Sequence, residues 1–76
     1  MFHLVHEDLT GLGGPMGTET TTEYSIGYFG KLSSAKHVAE MDYGQPIDWV
    51  QTDRGYRSPD LGYVMYHINV IELEDA

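Results

Sequence analysis

Cysteine is missing from the 76-residue chain, and positive charge is scarce. Without Cys there is no disulfide and no cysteine zinc site, so neither staple can support so short a chain. A domain of this size buries only roughly 60% of the surface its unfolded form exposes, which leaves a thin margin of stability. Four Lys and Arg stand against twelve Asp and Glu, a formal net charge of −8. Such a balance repels phosphate backbones and anionic membrane surfaces at long range. Direct nucleic-acid binding and a membrane partner are therefore not expected. No apolar run approaches the ~20 residues of a membrane span. The opening "MFHLVHED" lacks the basic segment and long apolar core of a secretory signal. These absences lead to the expectation of a soluble, cytoplasmic protein folded as one domain over residues 1–76.

What is present reads mainly as strands. Phe2, Leu4 and Val5 in "FHLVHEDL" alternate with polar residues as a strand does. Residues 10–22, "TGLGGPMGTETTT", are rich in Gly and predict a flexible loop. "EYSIGYFG" predicts a second strand with Tyr24, Ile26 and Tyr28 on one face, and Gly27 marks a bulge or a close backbone approach. A helix is expected from about Ser34 to Tyr43. Ser33 or Ser34 would cap it, Ala35, Val38 and Ala39 would face the sheet, Lys36 and Glu40 would pair, and Gly44 would end it. "IDWVQTD" predicts a third strand with Trp49 turned inward. "GYVMYHINVIELE" is the strongest strand signal, with Val64, Tyr66, Ile68 and Val70 on one face and Met65, His67, Asn69 and Ile71 on the other. Apolar residues on both faces suit a central position. The expected fold is α+β: a four-stranded, mostly antiparallel sheet with one helix on one face, in the order β-β-α-β-β.

Catalytic and metal motifs do not assemble. "GLGGPMG" lacks both the sixth-position Gly of a dinucleotide loop and the Gly-Lys-Ser/Thr of a Walker loop. His3 and His6, three apart on a strand, point to opposite faces, and no recognised ligand spacing occurs among the histidines. A cross-strand pairing of His3 with His67 is conceivable, but nothing in the spacing requires it. Ser33 and Ser34 suit helix caps, Ser58 sits in a turn before Pro59, and no nucleophile elbow occurs. The expectation is a protein that is not an enzyme and uses no metal or cofactor.

Half the positive charge, Arg54 and Arg57, lies in one stretch, "DRGYRSPDLGYVMY". Gly55, Ser58-Pro59-Asp60 and Gly62 give that stretch turn chemistry. One reading is structural: each Arg pairs with Asp53 or Asp60, or stacks on Tyr56 or Tyr63. The other is a recognition tip of Arg54, Tyr56, Arg57 and Tyr63, because Tyr and Arg are the types that most often carry interface energy. The sheet face that a single helix leaves uncovered is a further candidate surface. Tyr66, Ile68 and Val70 are the contacts expected there, for a partner or for a homodimer.

The segment "YSIGYFGKLSSAKHVAEMDYG" resembles one found in small phage and prokaryotic proteins. These have a strand ending Ile-Gly-x-Phe, a Ser-capped helix with spaced Ala, and a returning hairpin. Ile26, Gly27, Phe29, Ser33, Ser34, Ala35 and Ala39 carry the match, and the closing strand extends it to about two thirds of the chain. The resemblance implies a phage-type accessory protein and carries no catalytic residue. Two functions follow. The first is an acidic accessory protein that binds and modulates or inhibits a host or defence protein, one with a basic surface being the natural complement to its charge, as anti-CRISPR proteins do at similar size and charge. The alternative is a homo-oligomer that senses or sequesters a small anion or nucleotide through Arg54 and Arg57.

Overall fold

A computed structural model describes residues 1–9 and 22–71. The Gly-rich loop expected over residues 10–22 lies outside the described residues except for Thr22. The chain runs β1 (Phe2–Asp8), β2 (Thr22–Phe29), α1 (Leu32–Tyr43), β3 (Val50–Thr52), β4 (Gly55–Arg57) and β5 (Val64–Val70). The strands form one sheet in the order β2-β1-β5-β4-β3, with every pairing antiparallel. The fold is thus α+β with one helix, and β5 is central as its two-sided apolar pattern suggests. The sheet has five strands, one more than expected. The additional strand comes from the Arg-containing stretch, which folds back as a hairpin. Thr52 opposes Gly55 across an Asp53–Arg54 turn.

α1 begins two residues before the expected start. Lys31 is its N-cap, no side chain caps it, and Ser33 and Ser34 lie inside the first turn. The first helical bond runs from the Ala35 amide to the Lys31 carbonyl at 3.3 Å. The far end follows the sequence signal: Gly44 takes the left-handed conformation, φ 92°, and its amide bonds the Glu40 carbonyl at 2.8 Å.

The core lies between α1 and the middle of the sheet. Leu4, Ala35, Ala39, Ile47, Tyr66 and Ile68 are buried together, and Val38 and Trp49 pack at its edge. Small side chains at Ala35 and Ala39 let the helix lie close on Leu4 and Ile68. Ile47 and Trp49 are not in a strand, since β3 starts at Val50. The Glu40 carboxylate holds this segment instead, accepting the Ile47 amide and the Trp49 indole N–H, each at 3.2 Å. Glu40 is thereby taken from Lys36, whose ammonium sits over the Tyr56 ring at 4.6 Å.

A bulge breaks the alternation of β2. Gly27 opposes Leu4 and Ser25 opposes Val5, which leaves Ile26 as the extra residue. Tyr24 and Tyr28 therefore fall on opposite faces rather than sharing one. Tyr28 stacks on His3 and Tyr24 lies edge-on to His6. Among the described residues no helix is long and apolar enough to cross a membrane.

Ala39 is fully buried, so Ala39→Asp places an unpaired charge against the sheet. A loss of about 3–5 kcal/mol is expected, close to the whole stability of a small domain. A urea melt checks it: the variant should lack a cooperative transition at room temperature.

Candidate functional site

Strand register sorts the candidate residues by face, because directly opposed residues of an antiparallel pair point the same way. On the face away from α1, one row runs Tyr28, His3, Asn69, Gly55 and Thr52 across the five strands. The next row runs Ser25, Val5, His67, Arg57 and Val50. This uncovered face is largely polar, not the apolar surface expected. Tyr66 and Ile68 alternate to the other side and are 1% and 0% exposed under the helix. A dimer or partner contact through these two side chains would require α1 to leave the sheet. Val70 remains 46% exposed, beside a hollow next to the β3–β4 hairpin.

A groove of about 420 Å³ crosses the uncovered face. Val5, Glu23, His67 and Asn69 line it on the sheet, and Thr52, Asp53, Arg54 and Arg57 at the hairpin end. Gly55 makes the space at that end. Its φ of 149° is in the glycine-favouring region, and an added Cβ would collide with the Ile68 carbonyl of β5. No side chain therefore fills the row between Asn69 and Thr52.

The two arginines at this end are exposed, and no carboxylate among the described residues pairs with either. Among the described residues the only ion pairs involve histidines, His6 with Asp42 at 3.5 Å and His67 with Glu7 at 2.8 Å. Arg57 makes one long bond to the Ser58 carbonyl, 3.4 Å, and the cation over Tyr56 is Lys36. Asp60, the expected partner on one side, accepts the Gly62 amide at 2.9 Å and closes a turn. Asp53 lines the groove beside Arg54 without pairing with it. The pairing and stacking partners that would have made these arginines purely structural are occupied elsewhere or unused.

The rest of the expected tip disperses. Tyr56 borders the groove while its ring serves Lys36. Tyr63 is 75% exposed but lies outside the groove, in the turn before β5. Residues that were not singled out as candidates supply the groove instead. His67 is fixed by Glu7, and Asn69 is its neighbour but one along β5. The polar side of the β5 alternation, once paired with β4, was the available signal. His3 opposes Asn69, not His67, so the histidine pair does not form. Ser58, fully buried, accepts the Tyr66 amide at 2.9 Å and donates to the Pro59 carbonyl at 2.8 Å, an anchor for the turn.

Compared with known proteins, the chain matches no family model, no curated protein and no solved structure.

Tyr66 has a structural task. Its hydroxyl donates to the Asp42 carboxylate at 2.6 Å. Burial first, then this bond and the carboxylate's charge, push its pKa well above the usual tyrosine value. The folded chain thus favours the neutral phenol. The resulting stability is complete below about pH 10, where unfolded tyrosine begins to ionise, and is lost as pH rises further. Tyr66→Phe should cost about 1.5 kcal/mol at neutral pH, the low end for a bond to a charged group because Asp42 is half exposed. Urea melts at neutral pH and above about pH 10 check both halves: the variant should lose less stability on alkalinisation than the parent.

Proposed function

We propose that the chain is a binding protein without catalytic chemistry of its own, and that it recognises an anionic group at the Arg54–Arg57 end of the open-face groove. One observation carries this reading. Half of the four Lys and Arg in a chain of net charge −8 sit at one hairpin, exposed, with no carboxylate partner among the described residues. An arginine fork matches a carboxylate or phosphate, and charge-assisted bonds to it are roughly twice as strong as neutral ones.

Two carboxylates also line the groove, and distance decides their weight. Glu23 is on β2, three strand steps from β4, or about 14 Å. That exceeds the Debye length of ~8–10 Å at ordinary salt, so Glu23 is largely screened from the arginines. Asp53 is adjacent and offsets part of their charge. The balance suits a small anion of one or two charges, while the total of −8 opposes a long polyanion.

A second reading is favoured by the total charge and by the phage-type strand–helix segment. The chain would be an accessory protein that docks acidic surface on a basic host or defence protein and inhibits it. The two readings part on substitution. Double replacement Arg54→Gln and Arg57→Gln removes anion binding in the first and leaves docking intact in the second. Calorimetric titration with inorganic phosphate tests the first reading. The parent should bind, more weakly as salt rises, and Arg57→Gln alone should weaken binding about tenfold, or 1.4 kcal/mol. Since Arg57 is exposed, thermal melting should hardly change. No heat with the parent, or equal affinity in the double variant, would reject the anion reading.

A further inference from the structure

The groove reading leaves one feature of the same face unused. His3 and Tyr28 stack with ring centroids 4.4 Å apart and planes 8° from parallel. They are opposed residues on β1 and β2, so the two rings stand side by side on the open face. The Ser25 hydroxyl meets His3 Nε2 at 2.8 Å and fixes the ring further. One face of the imidazole is thus covered by Tyr28, on the β2 side. The other is turned the opposite way, towards β5, where the opposed residue is Asn69. The Asn69 side-chain amide has no hydrogen-bond partner among the described residues, and it lines the groove. Beyond Asn69 in the same row comes Gly55, with no side chain, and then the hairpin with Arg54 and Arg57.

We propose that the open face takes a small anion carrying a flat ring, of the nucleoside monophosphate class, with the ring stacked on His3 over Asn69 and the anion at Arg54 and Arg57. The proposal rests on the anion reading above and adds the ring. Strand spacing supplies the scale. Neighbouring strands are about 4.8 Å apart, so a ring next to His3 lies over β5, and the anion over β4 lies about 5 Å further on. A base and a phosphate joined through one sugar span that interval. The ring gains a stacking partner whose orientation is already fixed, and Asn69 offers both a donor and an acceptor to its edge. The net charge of −8 favours a single nucleotide over a strand of them.

Calorimetric titrations with adenosine monophosphate, adenosine, inorganic phosphate and a single-stranded oligoadenylate separate the possibilities. The monophosphate should bind about tenfold or more tighter than phosphate, the contribution of one stacked base. His3→Ala should erase that excess while phosphate affinity stays within about twofold, and His3→Leu, which keeps bulk on the strand, should do the same. Arg57→Gln should weaken the monophosphate and phosphate together. Equal affinity for monophosphate and phosphate in the parent overturns the ring claim and leaves the anion reading standing. Tighter binding of the oligoadenylate than of the monophosphate overturns the small-ligand claim. No binding of any of the four rejects the anion reading as well.

Discussion

The close approach of one helix to three strands organises the whole molecule. α1 meets β1, β2 and β5 through Ala35 and Ala39, whose methyl side chains allow contact with Leu4 and Ile68. A helix of twelve residues is about 18 Å long, and a five-stranded sheet is about as wide, so the helix covers one face in part and the other not at all. On β5, Val64, Tyr66, Ile68 and Val70 turn to the covered side, and Met65 turns to the open one with His67 and Asn69. Tyr66 crosses under the helix to reach Asp42 near its end, which ties sheet and helix by a short polar bond as well as by burial. With no disulfide to assist, this one interface carries the domain.

The β3–β4 hairpin lies beyond the helix. It is held laterally by β5, through the Val70 amide on the Arg54 carbonyl at 2.8 Å and by the ladder of β4, and from above by the Lys36 ammonium on Tyr56. Its attachment therefore makes no demand on the Arg54 or Arg57 side chains. They stand exposed at the end of a groove whose floor is β5 and whose open end is set by Gly55. Structural work in this protein falls to other charged groups: Glu40 anchors the chain after the helix, Asp42 receives Tyr66, and Asp60 closes a turn. That division of labour separates the exposed arginines from the carboxylates that hold the fold.

Much of this was legible in the residues. Alternation located β1, β2 and β5 and assigned Tyr66 and Ile68 to the same face, and Gly44 marked the end of α1. The sequence could not say which face the helix would choose, so Tyr66 and Ile68 could be taken as exposed contacts. The hairpin escaped notice because its turn is Asp53–Arg54 rather than an Asn-Gly or Asp-Gly pair, and the needed glycine comes one position later, at Gly55. The bulge at Ile26 was signalled only by the neighbouring Gly27, and it reverses the side on which Tyr28 stands. The Ser pair looked like a cap because serine favours that position, yet the backbone turns helical directly after Lys31, which is still extended. Whether Arg54 and Arg57 were paired depended on Asp60 closing its own turn, which spacing alone does not reveal.

The central claim is that the open-face groove, at its arginine end, is where this protein meets an anion. Backbone amide mapping by NMR during titration with inorganic phosphate tests it most directly. The account predicts shifts confined to Arg54, Gly55 and Arg57 on the hairpin and to His67 and Asn69 on β5, with the amides of α1 unmoved. Shifts centred on α1, or none at saturating phosphate, would contradict it.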